Sequence, residues 1–194
     1  VHLREPGYEK KETILTGTKS AAKGGFTAIM AMPNLNPCPD NLENLLVEEK
    51  LIKKNAIVNV YPYGAVSINE GDKNLADIDS FYNRVYAISD DGRGVNNLEL
   101  LENAMKLALK YDLVIASHAE DNVYKYAPEG EYVAVRREIE LAKKIGCKYH
   151  FCHMSTKESF EAIRHARSEG YTNITCEVAP HHLVLNETEI KNAN

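Results

Sequence analysis

Five short stretches place metal-capable or amide side chains directly behind an apolar run: "AMPN" (31 to 34), "ISDDG" (88 to 92), "ASHAED" (116 to 121), "FCHMS" (151 to 155) and "EVAPHH" (177 to 182). A sixth, "VHLRE", opens the chain with His2 and Arg4. Imidazole nitrogen and carboxylate oxygen together suit zinc or a similar divalent ion, and a catalytic ion keeps one position open for water. Water on such an ion ionises near neutral pH and becomes a nucleophile. The candidate ligands are His2, Asp90 or Asp91, His118 and His153.

Each residue also has a plainer reading. A lone histidine at a strand end is most often a hydrogen-bonded structural group, and "SDDG" suits a turn. His150 and His153 fall on opposite faces of an extended strand. Recurrence at equivalent strand ends favours metal chemistry, because independent structural histidines have no reason to share that position. Side chains of adjacent residues diverge, so at most one of His181 and His182 can join the set. His165 sits among charged neighbours in a helical stretch and reads as solvated.

The positioning elements are legible as a rhythm. Apolar runs recur at 26 to 32, 56 to 66, 85 to 89, 113 to 117, 149 to 153 and 174 to 178. Between most of them lie helical patterns. "DNLENLLVEEKLIKKN" is expected to start with Asp40 as N-cap and Glu43 three residues on, and "STKESFEAIRHARSEG" with Ser155 and Glu158, stopping at Gly170. "NNLELLENAMKLALKYD" and "AVRREIELAKKIG" repeat apolar residues at three and four spacing. The stretch from 66 to 85 shows no regular helix. Continuous apolar strands alternating with helices imply a parallel sheet covered by helices. No GxGxxG or Walker pattern supports a doubly wound sheet. Reactive residues at successive strand ends instead predict a (β/α)8 TIM-type barrel. Six strand–helix units fill these 194 residues, whereas a whole barrel takes about 250, so the barrel is expected to be incomplete.

Composition narrows the partners. With 44% hydrophobic and 26% charged residues, the chain reads as one globular domain over 1–194. A net charge of −5 without a basic block argues against nucleic acid, and no apolar run suggests a membrane span or leader, so a cytoplasmic location is expected. Cys38, Cys147, Cys152 and Cys176 lack CxxC spacing and are expected to be reduced.

Taken together, "HLREPGYEKKETI", "GGFTAIMAMPNLNP", "SDDGRGV", "HAEDN", "HFCHMSTKES" and "EVAPHHLVLNE" closely resemble the dihydroorotases of the long bacterial type, within the metal-dependent amidohydrolase superfamily. The resemblance runs in order through nearly the whole chain. It implies reversible conversion of L-dihydroorotate to N-carbamoyl-L-aspartate in pyrimidine biosynthesis, with one or two zinc ions.

By position, His2 resembles the second histidine of the family's first-strand HxH pair, and His118 and His153 its ligands after the fifth and sixth strands. Asp91 takes the bridging place, with Asp90 as its neighbour. Arg4 and Asn34 match residues that hold the substrate carboxylate, for which a guanidinium fork and an amide are chemically apt. The first HxH histidine is expected before Val1 and the general-base aspartate beyond Asn194, so these residues alone are expected to be inactive. The stretch from His118 to His153 is short for the family. An allantoinase or hydantoinase, or a non-catalytic homologue acting as scaffold for aspartate carbamoyltransferase, are the alternatives. A homodimer and that carbamoyltransferase are the candidate protein partners.

Overall fold

A computed structural model describes residues 1–125 and 127–186. Its strands are all parallel and pair in chain order. β1 (Ala28–Ala31) pairs with β2 (Asn59–Pro62), and the same passage of chain continues as β3 (Gly64–Ala65). From β3 the sheet runs through β4 (Ala87–Ser89), β5 (Val114–Ser117), β6 (Lys148–Phe151) and β7 (Ile174–Cys176). Val1 adds one more parallel step beside β1: its amino group donates to the Met30 carbonyl at 2.9 Å, and its carbonyl accepts from the Met32 amide at 2.9 Å. The strand order never reverses. This is the winding of a barrel, whereas a doubly wound sheet turns back at a switch point. The six strand units coincide with the six apolar runs of the sequence.

Burial on both faces explains why those runs lack alternation. Ile88, Ile115, Tyr149, Phe151 and Ile174 pack outward into the main core under the helices. Ala87, Ala116 and Cys152 form a separate inner cluster with Met32 and Tyr63. The inner residues are mostly small, as converging strands require.

The helices are α1 (Ile14–Lys23), α2 (Leu42–Asn55), α3 (Ile78–Phe81), α4 (Leu98–Lys110), α5 (Pro128–Ile145), α6 (Lys157–Ser168) and α7 (Pro180–Val184). Two expected caps are corrected. Asn41, not Asp40, caps α2, because the Asp40 carboxylate already accepts from the side-chain amides of Asn41 and Asn44 and from the Asn69 backbone. Thr156, not Ser155, caps α6, because it directly precedes Lys157 and its hydroxyl oxygen accepts the Ser159 amide at 3.3 Å. Helix α5 starts at Pro128, ahead of the apolar pattern that begins at Ala134, since proline suits a helix's first turn. It stops at Gly146, whose φ of 85° is left-handed. Between 66 and 85 only single turns and the four-residue α3 form. All four cysteines are unpaired, and Cys38, Cys147 and Cys152 are buried. Among the described residues no helix is long and apolar enough to cross a membrane.

Candidate metal centre at the strand ends

The chain reaches the C-terminal mouth of the sheet at every strand, and there the histidines meet. Asp91 lies just past β4 and is buried. Its Oδ2 is 3.2 Å from His2 Nδ1, and its Oδ1 is 2.8 Å from His118 Nε2. His118 Nδ1 is in turn 2.8 Å from His153 Nε2, with the two rings edge to face. One chain of contacts therefore links His2, Asp91, His118 and His153.

Asp90, the alternative that residue type alone left open, faces elsewhere. Its Oδ1 accepts from the backbone amides of Val66 and Ser67 at 2.9 and 3.0 Å, and its Oδ2 from the Ser67 hydroxyl. Asp90 ties the β3 loop to β4, while Asp91 is the carboxylate among the histidines.

The donor set fits a divalent cation. The His118 Nε2–Asp91 contact is close but misaligned, so that buried Nε2 has no hydrogen bond among the described residues. Buried polar atoms are rarely left so, and a cation between the two groups satisfies both. Burial and the neighbouring His118 lower the pKa of His153. Burial also lowers that of His2, where Arg4 adds to the effect and Asp91 opposes it. Burial by itself would raise the Asp91 carboxyl, but His118, His2 and Arg4 together hold it below the usual range. Neutral imidazoles and an ionised carboxylate are the forms that ligate metals.

Arg4 and Asn34 reach the same region from the first two loops. Arg4 has a left-handed φ of 57°, and its guanidinium has no carboxylate partner among the described residues. It lines a cleft of about 390 Å³ together with Lys11, Asn34, Glu70, Asp91 and Arg93. Three cationic side chains around one small cleft favour an anion. Asn34 donates its side-chain amide to Asp91 Oδ2, leaving its buried Oδ1 without a partner. Gly7 allows the Arg4 loop to close onto the Asn34 loop, since a Cβ there would lie 2.5 Å from the Asn36 carbonyl oxygen.

Two carboxylates that residue type did not single out support the set. Glu70 Oε1 accepts the Asp91 backbone amide at 2.8 Å, and burial pushes its carboxyl up to about 7, with Asp90 and Asp91 adding. It lies in the 66 to 85 stretch, where no periodicity drew notice. Glu131, in the first turn of α5, receives Ser155 and Thr156. His181 is exposed and His182 half-buried; their rings pack on one another, not on the His118 pair. His165 is exposed on α6, 3.5 Å from Glu169. A separate trio, His150 on β6, Cys152 just past it and Glu177 just past β7, gathers its ligand-type atoms within 4.8 Å. His150 is already engaged there with the Thr175 hydroxyl at 2.9 Å.

A family model described as dihydro-orotase-like matches residues 1–131. The chain belongs to the dihydroorotase-like family. Its relatives include dihydroorotases of Fusobacterium nucleatum (39% identical over 212 residues) and Bacillus cereus strain B4264 (42% over 213), each aligned to 100% of this chain. A dihydroorotase of Staphylococcus aureus strain Mu50 is likewise 42% identical over 213 residues, covering 100% of this chain. The chain spans about half the length of these relatives, 50% in each case.

Among solved structures, an L-hydantoinase from Arthrobacter aurescens superposes with a TM-score of 0.83 at 20% identity, covering 98% of this chain and 48% of that one. A dihydropyrimidinase from Brevibacillus agri gives 0.80 at 22%, covering 98% and 47%. At such identities the likeness establishes the fold: the dihydroorotase-like chain is part of a TIM-type barrel, about six strand–helix units of it.

Proposed function

We propose that this chain is the central part of a zinc-dependent dihydroorotase, which hydrolyses the cyclic amide of L-dihydroorotate reversibly to N-carbamoyl-L-aspartate in pyrimidine biosynthesis. The observation that carries the reading is the buried Asp91 held between His2 and His118 beside a cleft with three cationic side chains. The dihydroorotase relatives support the substrate class.

His2, Asp91, His118 and His153 would hold one or two zinc ions, which supply Lewis acidity and lower the pKa of water. Arg4 takes the substrate carboxylate through two parallel hydrogen bonds, and Lys11 and Arg93 add to the attractive field. Asn34 steadies Asp91 with its side-chain amide and leaves its Oδ1 free to accept an N–H of the same substrate. Fixing the carboxylate presents the ring amide to the histidine cluster and removes entropy from the encounter. Glu70 holds Asp91 in place through its backbone amide. The proton carrier, by the family resemblance, is an aspartate outside these residues, so the isolated 194 residues are inactive.

The test is to assay the full-length protein on L-dihydroorotate beside hydantoin and allantoin. Preferred turnover of dihydroorotate supports the reading. Preferred turnover of hydantoin or allantoin reassigns the substrate, and turnover of none, with no zinc bound, leaves a scaffold.

A further inference from the structure

We propose that Glu131 is a positioning residue for His153: its carboxylate latches the loop after β6 onto helix α5 and so fixes the direction in which that histidine points. The inference rests on the reading of His153 as a metal ligand.

The geometry begins at His153 itself. Its φ is 41°, a left-handed conformation that a non-glycine residue keeps only when its surroundings over-determine it. On the second and third residues after it, Glu131 collects four donors. Ser155 gives its amide at 3.0 Å and its hydroxyl at 2.6 Å to Oε2, and Thr156 gives its amide at 2.9 Å and its hydroxyl at 2.7 Å to Oε1. Between latch and histidine, Met154 is buried and its amide donates to the Glu177 carbonyl at 2.8 Å. The turn carrying His153 is thus pinned from β7 and from α5.

The anchor is rigid. Ala134, Val135, Ile139 and Ala142 bury α5 against the strands, and Glu131 lies in its first turn, where a carboxylate is favoured. Only an ionised carboxylate accepts all four donors without offering a hydrogen of its own. Glu131 also shares a cleft of about 510 Å³ with His118 and His153, so the latch stands at the rim of the candidate centre.

Zinc affinity of the full-length protein, measured by competition with a chromophoric chelator, tests the role. Glu131→Ala is expected to weaken zinc binding by about ten- to a hundredfold, the usual effect of losing a group that orients a ligand. In a His153→Ala background the same substitution is expected to add nothing, because residues acting as one unit are not additive. Glu131→Gln, which keeps one acceptor oxygen and turns an amide toward donors, falls between. Ser155→Ala removes one hydroxyl at an exposed position and gives a smaller loss, which keeps the test available if Glu131→Ala does not fold. Unchanged zinc affinity in a folded Glu131→Ala or Ser155→Ala protein overturns the proposal. Equal losses with and without His153 overturn it as well. If His153→Ala itself leaves zinc binding unchanged, the ligand reading fails first and takes the latch with it.

Discussion

Asp91 carries more of the site's organisation than any other side chain. It meets His2 and His118 through its carboxylate, Asn34 donates to it, and Glu70 holds its backbone. Glu70→Ala leaves the buried Asp91 amide unpaired, a loss of about 1–3 kcal/mol that a melting curve of the protein should show. Glu70→Gln keeps the acceptor and should recover most of it. Arg4 is the second such position. Arg4→Lys replaces a planar fork by a point charge, and KM for dihydroorotate should rise about tenfold or more with a smaller change in kcat, read from steady-state kinetics. His2, His118 and His153 were legible because strand ends repeat. Glu70 and Glu131 were not, because a carboxylate that serves a backbone amide leaves no spacing pattern in the sequence.

At the scale of elements, helix α5 packs on β5 and β6 through a buried carboxyl group. Glu138 is fully buried, and its Oε2 accepts from the Ser117 hydroxyl at 2.6 Å and the Tyr149 hydroxyl at 2.9 Å. Burial pushes its pKa up to about 7, against the opposing pull of those hydroxyls. The folded protein therefore holds a proton there that the unfolded chain releases near its ordinary value. Glu138's contribution to stability is present in full at acid pH, falls as pH rises above the ordinary carboxylate value, and levels off above about 7. The loss is on the order of 3 kcal/mol, and Glu138→Gln should flatten this part of a stability-against-pH curve measured by urea unfolding.

Gly94 sits where the loop after β4 meets the loop after β5: a Cβ there would lie 2.0 Å from the Glu120 carbonyl oxygen. Gly94→Ala should push apart the loops carrying Asp91 and His118, costing about 1–3 kcal/mol and reducing zinc content. The strands and the long helices could be read from apolar periodicity. The caps at Asn41 and Thr156 could not, since neighbouring Asp40 and Ser155 are chemically equal candidates and only the folded backbone decides where each helix begins.

The whole molecule joins a strand order that never reverses to a mouth where each strand end contributes. That combination was visible in the sequence as a rhythm of runs, each ending in reactive residues. The added step at Val1 was less legible, because its pairing with β1 depends on register that no local pattern encodes. By the proposed reading, the full-length protein needs its bound metal for chemistry, and the loops of this chain supply most of the ligands. The most direct measurement is hydrolysis of L-dihydroorotate by the full-length protein after chelation and again after zinc is restored. Activity should vanish on chelation and return with zinc, and Asp91→Ala should abolish the return. A chelated protein that turns over dihydroorotate as fast as the zinc-loaded one would refute the metal centre.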